Sequence, residues 1–416
     1  MNINKNIAIA TRNNMRGQLI FISLLLMIAS LYISRASLSI SFIFFLALTI
    51  VHKHLKEQFR TFLNNALLIG MAALFLVPFI SGLWSKDLQQ WLNVIQLKLP
   101  FLFFPLAFAG SWQLTKIQWK IVAAFFLLCL ALGCIWSLGN YWLHFNEMNE
   151  SYTRAKLIDT PLENDHVRFS WLVSIGIIAS VLLTRITVTK ATKILLSIAC
   201  LFFIVYLHIL SARTGLICFY LFAAIYVAWL LFRRKSLQQS IWYLLLIIAL
   251  PVLAWFTIPT FEKRWNYLVY DLSFVKSSTY VPGSNDGARF FSIKAGSDIL
   301  KTNPFGTGAG DVMKVTNQWY DSKVPKMLTS DRLYPSSEWL MYGAYAGWLG
   351  IAIFTLIMFI PFLQRTRHRI FWIALNLVCL FSFAFDIGLE VQFGIFLYSF
   401  IVLWWYKWLK PESINE

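Results

Sequence analysis

Apolar stretches of about 18 or more residues, the length an α-helix needs to cross the hydrocarbon of a bilayer, recur along the whole chain. The pattern predicts twelve helices, at roughly 18–34, 37–52, 62–83, 91–110, 121–143, 169–184, 194–210, 216–232, 241–258, 339–363, 369–387 and 390–406. Several carry a proline (Pro78, Pro100, Pro105, Pro251, Pro361), which neighbouring helices can accommodate by re-satisfying the freed backbone groups. One interval breaks the rhythm. From about Pro259 to Pro335 the chain is polar, with nine apolar stretches before it and three after. The expected architecture is therefore all-α: a polytopic membrane protein of about 12 helices. It forms a single domain over 1–416, with one long loop, 259–338, between helices 9 and 10.

Composition agrees. The chain is 58% hydrophobic and 13% charged, whereas soluble domains are about one quarter charged. A net charge of +17 invites a nucleic-acid reading, but the charge is dispersed in short clusters between apolar runs, as in a membrane topology signal. With both termini cytoplasmic, the cytoplasmic segments hold 19 of the 36 Lys and Arg residues, from Lys5 to Lys410, with only Glu57, Glu412 and Glu416 as acids. This orientation predicts a multi-pass protein of a bacterial inner membrane, with segment 144–168 and the long loop in the periplasm. The first apolar run lacks a small-residue cleavage site and reads as a retained span. Cys129, Cys134, Cys200, Cys218 and Cys379 all lie in apolar runs, so neither a disulfide framework nor a zinc site is expected. No Asp-x-Asp or His-Glu-x-x-His motif is present, and the Gly306–Gly310 run lacks the Lys-Ser/Thr of a nucleotide loop, so no metal or cofactor is expected.

The expected outer face gathers His166, Arg168, Arg213, Arg289, Glu338, Asp386 and Glu390. Ionisable groups at membrane depth are costly and face a cavity or a partner. For Arg213 the plain alternative is snorkelling, or an ion pair with Glu390 or Asp386. Guanidinium groups bind phosphate oxygens bidentately and stay charged, which suits a diphosphate-linked lipid. A carboxylate or histidine beside them can take the proton of an acceptor hydroxyl. His166 can equally be a hydrogen-bonding partner, and Glu338 can simply favour a helix N-terminus. Trp319 and Tyr320 are candidates for stacking on sugars. Within the loop, Ser292–Leu300 reads as a helix ended by Asn303-Pro304.

Several pieces, in order, resemble the O-antigen ligase and O-antigen polymerase superfamily of bacterial polysaccharide assembly. They are Ser81-Gly-Leu-Trp-Ser85, Lys98-Leu-Pro100 with Pro105, His166-Val-Arg-Phe-Ser170 and Ser211-Ala-Arg-Thr-Gly215. Then come Asp286-Gly-Ala-Arg289, Asn303-Pro-Phe-Gly-Thr-Gly-Ala-Gly-Asp311 and Tyr334-Pro-Ser-Ser-Glu-Trp-Leu340, followed by Leu389-Glu-Val-Gln-Phe-Gly394. The resemblance implies a membrane glycosyltransferase that takes a glycan from an undecaprenyl-diphosphate carrier. The acceptor is lipid A–core in a ligase and another carrier-linked repeat unit in a polymerase. The family's two essential arginines map onto Arg213 and Arg289. The ligase's histidine and the asparagine after it map onto Ser336 and Ser337, a departure that slightly favours a polymerase. His166, Glu338 or Glu390 would then handle the acceptor proton. Arg168, Ser336, Ser337, Glu390, Gln392 and Asp311 are the expected substrate-binding set, with membrane lipid around them. The competing reading is a polyprenyl-linked glycan flippase. It is disfavoured by the lack of internal symmetry and by the off-centre loop.

Overall fold

The computed structural model describes residues 2–154, 157–234, 237–277 and 280–410. Lys235, Glu412 and Glu416, on which the expected orientation partly rests, lie outside these residues.

Every regular element among the described residues is a helix. The first group comprises α1 (Asn2–Ser30), α2 (Arg35–Ile50), α3 (Leu55–Leu63), α4 (Ala66–Ile80), α5 (Leu88–Lys98) and α6 (Pro100–Phe108). The second comprises α7 (Lys116–Leu143), the short α8 (Phe145–Ser151), α9 (His166–Ile186), α10 (Lys190–Leu210), α11 (Arg213–Trp229) and α12 (Leu237–Thr257). The polar interval supplies α13 (Pro259–Ser277), α14 (Asn285–Thr302) and α15 (Val312–Lys323). The chain closes with α16 (Glu338–Leu363), α17 (Arg369–Phe385) and α18 (Gln392–Leu409).

Each of the twelve expected stretches holds a helix. Eight helical segments among the described residues are long and apolar enough to cross a membrane, or nine if α2 and α3, bent by 104° at their junction, are one span. The apolar part of α1 (Met15–Ser30) and α17 fall short of that length. The centre of the bundle is α9, which packs against α7, α10, α11, α17 and α18. Most side chains of α9 and α18 are buried. On α12, by contrast, only Ser240 and Ala254 are buried, so its apolar surface is left for lipid.

α16 is not one straight helix. Its backbone breaks at Ala346 and Gly347, where φ of Gly347 is +66°. A break in an apolar span orphans backbone groups that hydrocarbon cannot satisfy. The Asn303–Asp311 segment fills this one: Thr307 N–H donates to Ala344 O at 2.7 Å, and Trp348 N–H donates to Pro304 O at 3.0 Å. The same segment is tied on its other side to the turn after α4. Ala309 N–H donates to Ser81 Oγ, Gly310 N–H to Ser85 Oγ, and Lys86 N–H to Asp311 Oδ2 at 2.5 Å. The glycine-rich run is thus a plug between two membrane segments. Asp311, expected to bind substrate, is buried and spends its carboxylate on this joint.

Gly347 is where the plug has least tolerance, because a Cβ there would lie 1.8 Å from Pro304 O. Its backbone, φ +66° with ψ −150°, lies in a region essentially reserved for glycine, which costs another residue about 1–3 kcal/mol before any clash. Gly347→Ala is expected to lower the thermal midpoint of the detergent-purified protein clearly. Size-exclusion of heated samples checks this, and an unchanged midpoint would contradict the plug.

The helix expected over Ser292–Leu300 begins earlier, at Asn285, because Ser284 caps it: Gly287 N–H donates to Ser284 Oγ. Trp319 and Tyr320 are not stacking surfaces. They pack with Phe291, Ala295 and Met327 in a small core of the polar interval. Trp319 Nε1 donates to Asp298, and Tyr320 Oη donates to Leu333 O.

Candidate functional site

Helix starts deliver most of the site. His166, Arg213 and Glu338 are the first residues of α9, α11 and α16, and Asp286 and Arg289 lie in the opening turns of α14. A positive side chain at a helix N-terminus opposes the helix dipole, so Arg213 and Arg168 break a local rule unless an anion joins them.

The local sequence explains each placement. Ser211 takes left-handed backbone (φ 52°) to end α10, and two residues later α11 starts at Arg213. Gly215 then lets α11 press onto α9. A Cβ there would meet Ser170 at 2.6 Å, and Ser174 Oγ donates to Gly215 O at 2.8 Å. Before α9, three successive non-glycine residues, Leu162, Glu163 and Asn164, hold positive φ. Asp165 follows as the cap, accepting from Arg168 N–H at 3.1 Å. At the start of α14, Asp271 accepts from Ser284 Oγ and from Asp286 N–H, fixing where Asp286 and Arg289 begin.

Two charged regions result. The first is basic. Arg213 Nη1 lies 2.5 Å from both carboxylate oxygens of Asp286. Its Nε and Nη2 are buried without an acceptor, and so are Nε and Nη1 of Arg264. Arg264, from the first turns of α13, is within electrostatic reach of Arg213 and Asp286, and His166 is within reach of Arg264 and Arg289. Burial, and then the positive charge of Arg213, lower the Arg264 pKa to about 10, against the pull of Asp286. The group stays charged at neutral pH.

The second region is acidic and more deeply buried. Lys98 Nζ donates to Glu390 Oε1 at 2.6 Å and to Leu389 O at 2.9 Å, and it faces the rings of Tyr342 and Tyr345. Glu338 Oε1 accepts from Leu389 N–H at 2.5 Å, while its Oε2 is buried with no donor. Arg168 Nη2 lies 2.9 Å from Asp386 Oδ2, an ion pair without hydrogen-bond alignment. Arg168, Asp165 and His166 link this region to the basic one.

The structure revises several expectations. Arg213 pairs with neither Glu390 nor Asp386 but with Asp286, 73 residues away in sequence. Glu390 belongs to Lys98, and Asp386 to Arg168. Gln392 donates to Ser39 Oγ at 3.0 Å. Ser336 is held against Ser292, Oγ to Oγ 2.7 Å, with its N–H donating to Ser292 Oγ. Ser337 is buried and precedes α16 without a side-chain capping bond. Sequence reasoning missed Arg264, Lys98 and Asp286 as site members. Arg264 is hidden in an ordinary charged run, Glu262-Lys-Arg264. Lys98 stands in a recognisable piece, but nothing local reveals its partner.

The basic region falls within one comparison. Residues 198–355 match the family model for O-Antigen ligase. The match agrees with the O-antigen ligase and polymerase superfamily and supports a function of that type in polysaccharide assembly. Family members are glycosyltransferase-like ligases and polymerases, whose substrates are a lipid-linked glycan and a glycan acceptor. The match covers Arg213, Arg264, Asp286, Arg289 and Glu338. It leaves Lys98, His166, Arg168, Asp386 and Glu390 to the flanking helices. No curated protein matches the chain. Among the described residues, no group of three or more His, Cys, Asp or Glu side chains is arranged to hold a metal ion.

Proposed function

We propose that this protein is a glycosyltransferase of a bacterial inner membrane, with both termini cytoplasmic and the site facing the periplasm. It moves a glycan from undecaprenyl diphosphate onto a second glycan, in the manner of an O-antigen or exopolysaccharide polymerase. Lipid A–core as acceptor is the ligase alternative. The observation that carries the reading is the set of buried guanidinium N–H groups of Arg213 and Arg264 that have no acceptor. Buried donors left unmade cost about 1–3 kcal/mol each, and more when charged, so such a cluster is built for an anion.

In the reaction the acceptor oxygen attacks the anomeric carbon, and the bond from that carbon to the diphosphate oxygen breaks. The acceptor proton passes to a base, and the diphosphate leaves with the bonding pair. Arg213 and Arg289 stabilise the charge that develops on the leaving group, which is the work a metal does elsewhere. Of the candidate bases, Glu338 has a free carboxylate oxygen, His166 borders the arginines, and Glu390 is already engaged by Lys98. Ser336 is not such a group, since it is neither basic nor free of Ser292. Ser336→Ala is therefore expected to keep transfer within a few-fold of wild type. A large loss of initial rate would return the acceptor chemistry to the position of the ligase's histidine.

Surface polysaccharide and extracted lipid carriers from cells lacking the protein test the class. Core capped by a single repeat unit supports the polymerase. Full-length polymer stranded on the carrier, with bare lipid A–core, means ligase. An unchanged ladder would count against O-antigen as the product.

A further inference from the structure

We propose that Arg264 is a third diphosphate-binding residue and that Asp286 is a resident counter-charge that tunes the site to the intact donor over the spent carrier. The proposal rests on the diphosphate reading above.

The argument is one of charge balance and unmade bonds. Arg213, Arg264 and Arg289 bring three positive charges, and Asp286 removes one. Arg168 adds no spare charge, because Asp165 and Asp386 flank it. Asp271, buried under the start of α14, spends its carboxylate on Ser284 Oγ and Asp286 N–H. The other titratable neighbours are Tyr152 and Tyr267, beside Arg264, and His166, which starts α9 near Arg264 and Arg289. Among the described residues, no carboxylate forms an ion pair with Arg264 or Arg289. Arg264 is anchored as an anion ligand would need to be. Thr260, one turn earlier on α13, donates to Ile209 O at 2.6 Å, and the guanidinium stacks 5.5 Å from the Tyr267 ring. Tyr267 Oη in turn accepts from Asn285 N–H, beside Asp286.

A carrier-linked glycan is a diphosphate diester with two negative charges, which matches the net charge of the three arginines and Asp286. Once the sugar has left, the terminal phosphate becomes a monoester whose second ionisation lies near pH 6, so the spent carrier has about three charges at neutral pH. Asp286, already on Arg213, repels the additional one. The site then holds the donor in balance and lets the product go. Loss of the Asp286 charge removes that discrimination, and loss of Arg264 weakens both species alike.

The test uses the full chain in lipid nanodiscs, with two probes: farnesyl diphosphate as the monoester and its terminal methyl ester as the diester. Farnesol serves as the uncharged control. Arg264→Gln is expected to weaken both probes roughly 10–100-fold, the range for hydrogen bonds to charged groups. Arg264→Lys, which keeps the charge but not the fork, should fall in between and guards against a folding defect. Asp286→Asn should shift the ratio of affinities toward the monoester by about tenfold. If the wild type binds neither probe better than farnesol, the diphosphate reading fails and this proposal with it. If Arg213→Gln and Arg289→Gln lose binding while Arg264→Gln and Arg264→Lys bind like wild type, that reading survives and the third arginine is wrong. An unchanged ratio in Asp286→Asn overturns the counter-charge.

Discussion

Arg213→Gln and Arg289→Gln are each expected to cut glycan transfer by about 10²–10³-fold or more, while the protein still inserts and purifies as a folded species. The magnitude follows from where the charge develops. The leaving diphosphate gains its negative charge only as the sugar bond breaks, so a fixed cation beside it acts on the barrier more than on binding. At Arg213 the argument is sharper, because two of its three guanidinium nitrogens are buried without an acceptor. Arg213→Lys should recover little, since an ammonium cannot serve Asp286 and a phosphate with one planar fork. Initial rates with a synthetic lipid-linked donor check this. Full activity in properly inserted variants would remove both residues from the site.

Lys98→Met carries the largest expected cost in stability. Lys98 has no exposed side-chain surface, and it faces Glu390, of which only 9% is exposed. Removing one member of a buried pair leaves the other charged and unpaired, at about 3–5 kcal/mol. Here the orphaned group also lies beside Glu338, so the like-charge repulsion that Lys98 offsets is released. The variant is expected to accumulate poorly and to unfold early in detergent. Lys98→Met combined with Glu390→Gln should recover most of the loss, because no unpaired charge remains. If the single variant is as stable as wild type, the acidic region is wetter than its packing indicates.

The membrane character of the chain was legible because span length and hydropathy are local properties. Arg213 drew attention for a different reason, and Arg289, inside the polar interval, only through the family resemblance. A guanidinium at the edge of an apolar run is costly enough to stand out against its neighbours. Pairing was not legible. Arg213 had Glu390 and Asp386 in view, and its partner is instead Asp286, because Ser284 and Asp271 start α14 earlier than its hydrophobic pattern suggests. Lys98 shows the same limit. Its partner is Glu390, 292 residues away, and only the packing of α5 against the turn before α18 brings them together. The break in α16 left a trace in Gly343, Gly347 and Gly350, but nothing in that trace says which segment fills it.

The plugged break also orders the assembly of the protein. Until Asn303–Asp311 has folded, α16 presents a bare carbonyl at Ala344 and a bare amide at Trp348, and hydrocarbon exacts several kcal/mol for each. α16 therefore settles as a span only once the polar interval has folded back onto it. A chain halted before that point carries a membrane helix in waiting, without the plug that makes it admissible to lipid.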